Sequence, residues 1–160
     1  MGYVPNDAKW WIAEIVEEIT VEGDARNVVH VNYNLIRADS PPEAYAKSLE
    51  LGKGSETEYD NSEGKRVQIR FRGLRNLTVM YDELEHGAEL MYEERVGVSP
   101  DELQKCGRAK EELDVFIPWR GPDFTKAPDY GAKEIIDEVE RRFGLKRFEG
   151  MDESHGPDGH

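Results

Sequence analysis

An α+β domain is predicted: a mostly antiparallel sheet of about five or six strands, two helices packed on one face, and a C-terminal arm and helix. Three observations predict it. Apolar and polar residues alternate with period two in nearly every strand candidate, whereas strands buried on both faces read as continuous apolar runs. Two helix starts are marked by Ser-Pro pairs, at Ser40-Pro41 and Ser99-Pro100. The order strand–strand–helix–strand–strand–strand–strand–helix, with short links, suits antiparallel neighbours with helices on one side.

The first strand is read in "WWIAEIVEEITVE", with Trp11, Ala13, Ile15, Ile19 and Val21 inward and Glu14, Glu18, Thr20 and Glu22 outward. "EGDARN" supplies turn residues at Gly23, Asp24 and Asn27. "VVHVNYNLIRA" alternates again, and the pair reads as a hairpin. Val29, Val31, Tyr33 and Leu35 are expected inward, with His30, Asn32 and Asn34 outward.

The first helix opens on "SPPEAYAKSLELG": Ser40 caps, Pro41 takes the first turn and Glu43 completes a capping box. Ala44, Tyr45, Ser48, Leu49 and Leu51 are expected on the sheet, with Gly52 as the stop. Four further strands are read in "ETEYD", "KRVQIRFRGL", "RNLTVMYD" and "AELMYEERVGV". Val67, Ile69 and Phe71 oppose Arg66, Gln68, Arg70 and Arg72; Leu77, Val79 and Tyr81 share a side, as do Leu90, Tyr92, Val96 and Val98. The second helix starts at "SPDELQKCG", with a box from Ser99 to Glu102 and Val98 placed to staple onto Leu103.

Beyond Leu113 the character changes. "FIPWRGPDFTKAPDYG" scatters aromatics among prolines and glycines and reads as an arm. A helical stripe at Ala132, Ile135, Ile136, Val139 and Phe143 follows, stopped by Gly144. The expected organisation is a core domain over 9–115, an arm over 116–129, an amphipathic helix over 130–145 and a polar, disordered tail over 146–160.

A formal charge of −13 argues against nucleic acid and anionic membranes as partners and favours a basic protein. Cys106 is the sole cysteine, so one chain can form neither a disulfide nor a cysteine-rich zinc site. "MGYVPNDAKWW" has no basic or apolar targeting region, and no apolar run approaches spanning length, so a cytoplasmic location is expected.

The candidate sites are few. Glu83, Glu85 and His86 in "YDELEHGAEL" could hold a metal or supply acid–base chemistry. Strand alternation would part His86 from the two carboxylates, and a hairpin turn around Gly87 is the simpler reading. Arg66, Arg70 and Arg72, with Lys65 and Arg75 nearby, form the concentrated positive stripe, able to grip a phosphate or carboxylate. Cross-strand pairing with Glu14, Glu18, Glu56 or Glu58 competes with that role. No aromatics interleave with the arginines as a nucleic-acid platform would require. His30 heads a polar row with Asn32 and Asn34 that is either a small pocket or a solvated face. Cys106 is expected as a packed small hydrophobe. His155 and His160 lie in the tail, where a loose metal contact is the alternative to no role. Phe116, Trp119, Phe124 and Tyr130 of the arm must be buried on the parent domain or on another chain, and both remain open.

Four passages resemble a small bacterial family, domain of unknown function 4288. They are "WWIAEIVEEI", "LIRADSPPEAYAKSLELG", "RFRGLRNLTVMYDELEHGAEL" and "YEERVGVS", spread over roughly residues 9 to 115. The resemblance implies a compact single domain and brings no activity or catalytic residue with it.

No nucleophile–base pair, glycine-rich phosphate loop or metal ligand set stands out, so neither catalytic residues, metal nor cofactor is assigned. The expected function is a non-catalytic regulatory or immunity-type interaction module, with a basic protein and a second copy of the chain as candidate partners. The alternative is a small-ligand-binding domain or enzyme using the sheet face with Arg70, Arg72, His30 and the 83–86 loop.

Overall fold

The computed structural model describes residues 2–143. Among them the sheet has four strands: β1 (Trp10–Val21), β2 (Val28–Arg37), β3 (Thr57–Asp60) and β4 (Arg66–Val79), all antiparallel neighbours in the order β2-β1-β4-β3. The helices are α1 (Pro41–Gly54), α2 (Pro100–Gln104) and α3 (Lys133–Phe143). The α+β class and the antiparallel sheet stand; the count of five or six strands does not.

β1 is central, flanked by β2 and β4, and its alternation places Trp11, Ala13, Ile15, Ile19 and Val21 in the core as read. These residues meet Val67, Val79, Ile36 and Ala38, and half-buried Phe71, Leu74 and Leu77 complete the layer. Each fully buried Ile or Val contributes about 1.5–3 kcal/mol by leaving water. The Trp11 indole N–H donates to the Ala38 carbonyl at 3.1 Å, so burial leaves it satisfied.

α1 lies on this face through a row of small residues. Ala44, Ser48 and Gly52 are buried, while Tyr45 and Leu51 are exposed, contrary to the expected contact face. Gly52 does not end the helix, which runs on to Gly54; a Cβ there would collide with the Phe71 ring, so glycine permits the close approach. Ser40 accepts from the Glu43 N–H, but Glu43 reaches back to the Asp39 N–H rather than closing a box on Ser40.

β2 carries the opposite faces from those expected. An unbroken register from Trp10↔Arg37 to Ile19↔Val28 sets Ile15 opposite Asn32 and Ala13 opposite Asn34. His30, Asn32, Asn34 and Ile36 therefore share the helix-bearing face, and Val29, Val31, Tyr33 and Leu35 the open face. α1 packs chiefly over β1 and β4, so the polar row on β2 finds other partners: Asn32 donates to Glu17 at 2.7 Å.

"KRVQIRFRGL" and "RNLTVMYD" are one strand, β4, not two. Two register shifts against β1, at Glu14/Ile15 and Val16/Glu17, insert one extra β4 residue each. Two insertions restore parity, which is why Val67, Ile69, Phe71, Leu74, Leu77 and Val79 all reach the helix face. Tyr81 lies past the strand and is exposed.

"AELMYEERVGV" forms no strand. The turn around Gly87 exists, with φ of 87°, but joins no hairpin. α2 has its full capping box at Ser99 and Glu102 yet buries no residue; Leu103 and Cys106 are exposed, so α2 is no second helix packed on the sheet and Cys106 is not packed. Two 3-10 turns follow, at Lys110–Glu112 and Asp114–Phe116, also without buried residues. In the C-terminal stripe Ile136 is half-buried and Ile135 exposed; the side chains of Val139 and Phe143, residue Gly144 and the tail lie outside the described residues.

Candidate functional site

The open face of the sheet gathers the arginine stripe, and every member meets a carboxylate. Arg66 lies opposite Asp60 and pairs with it at 3.6 Å. Arg70 pairs with Glu58, and Arg72 with Glu18 at 2.6 Å. The extra residues in β4 explain the reach: each strand irregularity re-aims an arginine toward β1. Hydrogen bonds from Asn27 and then Arg72 hold the Glu18 carboxyl below the usual range.

The most enclosed of these pairs is Arg75 with Glu14. The Glu14 side chain is only 5% exposed, and Arg75 bonds it while also donating to the Tyr33 hydroxyl at 2.6 Å. The guanidinium sits 5.7 Å from the Tyr33 ring centre, a cation–π contact. The bond to Glu14 raises the Arg75 pKa further. A buried carboxylate without this partner would be costly, so Arg75 is fixed in place by the sheet.

His30 is on the other face, where its ring stands edge-on to Tyr130 at 5.6 Å. Glu83, Glu85 and His86 are exposed in the turn after β4. The structure therefore separates the seven candidates into an open-face stripe, a histidine on the helix face and a distant loop. The cleft of about 430 Å³ under Leu90–Glu93, the groove beside α1 and two smaller clefts at the sheet ends include, of the seven, only Glu83. Among the described residues no three His, Cys, Asp or Glu side chains gather into a metal-binding group.

The arm divides. Its second half docks across the two strand turns at one end of the sheet. Arg26, gripped by Asp24, donates to the Thr125 carbonyl at 3.0 Å and the Phe124 carbonyl at 3.4 Å. The Arg26 side chain and then its backbone N–H, both donating to Asp24, hold that carboxyl down to about 2. Asn61, 1% exposed, accepts from the Glu63 and Lys65 N–H groups and donates to the Asp129 carbonyl, each at 2.9 Å. Tyr59 donates to the Tyr130 carbonyl, and burial, followed by Tyr130 and Asp129, pushes its hydroxyl pKa up. Arg26 and Asn61 escaped the sequence reading, since a turn arginine and a turn asparagine look alike whether or not a distant segment lands on them.

The first half of the arm is different. Phe116 and Trp119 are exposed, Trp119 at 64%. They continue a run of exposed apolar side chains comprising Leu90, Tyr92, Val96, Leu103, Val115 and Ile117, with Val96 at 87%. Single exposed apolar residues are ordinary, but these follow one another along one stretch of chain. The chain leaves the sheet after Val79 at the Trp11 end and returns near Phe124 at the opposite end, so the run belongs to one long excursion.

A family model described as Domain of unknown function (DUF4288) matches residues 10–92, from the start of β1 to the cleft-lining Tyr92. No curated protein and no solved structure matches the chain.

Proposed function

The chain belongs to the DUF4288 family, and we propose that within it this protein is a non-catalytic, regulatory interaction module. The observation that carries this reading is the contrast between two surfaces. The arginines that a small anion would need are each engaged by Asp60, Glu58, Glu18 or Glu14. Most apolar side chains of the excursion from Leu90 to Trp119 are left to solvent, Met91 and Val98 being half-buried. Exposed aromatics amid carboxylates suit a partner that offers apolar pockets ringed by basic residues. The charge of −13 strengthens encounter with such a partner.

A cytoplasmic setting fits the exposed free thiol of Cys106, which a reducing compartment preserves. Among the described residues no helix is long and apolar enough to cross a membrane.

Thermal-shift measurements against divalent metals, nucleotides and small carboxylic acids test the reading. The interaction module gives no saturable rise in melting temperature with any of them. A saturable rise that disappears in Arg70→Ala would replace it with the ligand-binding alternative.

A further inference from the structure

We propose that β2 pairs edge to edge with β2 of a second copy of this chain, antiparallel about a two-fold axis beside Asn32, joining two sheets into one of eight strands. The sheet has two edges. β3 is four residues long and carries Glu58 and Asp60, the short, charged form that discourages added strands. β2 is ten residues long, and its ladder with β1 runs from Trp10↔Arg37 to Ile19↔Val28 without a bulge. It contains no proline, lysine, aspartate or glutamate. Its sequence thus carries none of the usual edge protections; among the described residues Lys47 of α1 reaches its last carbonyl, at Arg37, at 2.9 Å, and leaves Val28–Ile36 for pairing.

Charge and pattern identify the occupant. In a chain of net charge −13, two copies repel over most of their surfaces. β2 has no acidic residue and ends in Arg37, so a second copy can approach it without placing carboxylates opposite one another. A two-fold axis normal to the sheet keeps each face on its own side, so odd residues meet odd and even meet even. Centred on Asn32, Val28 lies opposite Ile36 of the second copy, Val29 opposite Leu35, His30 opposite Asn34 and Val31 opposite Tyr33. Apolar meets apolar and polar meets polar at each of these pairs. The neighbouring register, centred on Tyr33, sets Val29 opposite Arg37 and His30 opposite Ile36. Val29 and Tyr33, each 54% exposed, and Leu35 at 43% then lose water on the open face. Arg75 already fixes the Tyr33 hydroxyl, so that ring is held before the second copy arrives.

This pairing goes beyond the partner-binding reading and can fail while that reading holds: Leu35 shares a cleft with Leu90–Glu93, but Val29 does not line it, and neither do Val96, Val115 and Trp119 of the excursion. Size-exclusion chromatography with light scattering on the full chain is the test. The wild type should elute with twice its 18.3 kDa mass. Val29→Glu with Leu35→Glu places like charges opposite one another and should give the single-chain mass, with an unchanged circular-dichroism spectrum because both positions are exposed. Val29→Lys with Leu35→Glu places opposite charges there and should restore the doubled mass. A wild type of single-chain mass, or a doubled mass surviving in the double-glutamate variant, overturns the pairing. Failure of the lysine–glutamate variant to double overturns the Asn32-centred register.

Discussion

Asn61 shows how much one buried side chain organises here. Its amide closes the β3–β4 turn and holds the Asp129 carbonyl of the arm. Asn61→Ala should cost about 2–3 kcal/mol, since it strands buried backbone groups. Hydrogen exchange should show residues 124–132 losing protection before the sheet does. Two glycines of α1 offer a matched pair. Gly52→Ala should destabilise by about 1–2 kcal/mol, because the clash with Phe71 outweighs the better helix propensity. Gly54→Ala meets open space and should stabilise by about 0.5–1 kcal/mol; urea titration of both variants measures the contrast. Asp24 titrates at about 2 when folded against an ordinary 3.8. Because the folded value is depressed, its contribution is complete above the ordinary value and fades as pH falls toward 2. Carboxyl NMR titration should find that low midpoint, and Arg26→Ala should return it toward the ordinary value. None of these roles was legible from residue type: a buried asparagine, a packed glycine and a clamped aspartate each depend on a segment far away in sequence.

Strands and helices were legible where periodicity and packing agreed. The alternation of β1 fixed its core face, because a central strand has neighbours on both sides that enforce it. β2 alternates as clearly, yet its apolar residues Val29, Val31, Tyr33 and Leu35 lie on the open face. Alternation tells which residues share a side and not which side is covered; here Ile36, Ala38 and Trp11 decide. In β4, "RGLRN" resembles a turn, but Gly73, at φ 122°, and the two extra residues let the strand continue. Deleting Arg72 should leave a cooperatively melting fold, since it removes an insertion and lets Phe71 and Gly73 pair with Glu17 and Val16 in a regular ladder. Deleting Ile69 should abolish cooperative melting, because it turns part of the apolar row to the open face. Residues 88–98 alternate but have no partner strand among the described residues, and alternation without a ladder makes no strand.

For the molecule as a whole, composition and strand order were enough for the class and the antiparallel sheet, and the motif passages for the family. The candidate site was legible in its chemistry and not in its geometry. Arginines and glutamates were named as alternatives to one another, and the fold resolves them into pairs at Arg70–Glu58, Arg72–Glu18 and Arg75–Glu14. His30 could not be assigned to its face without the register that puts it opposite Glu17 and against Tyr130. The excursion, with Tyr92, Val96 and Trp119 exposed, is the surface proposed to meet a partner protein. Affinity capture with quantitative mass spectrometry, comparing wild type, Arg70→Ala with Arg72→Ala, and Tyr92→Ala with Trp119→Ala, tests this most directly. A specific partner should be retained by the arginine variant and reduced at least tenfold by the aromatic one. A partner lost with the arginines and kept without the aromatics would contradict it.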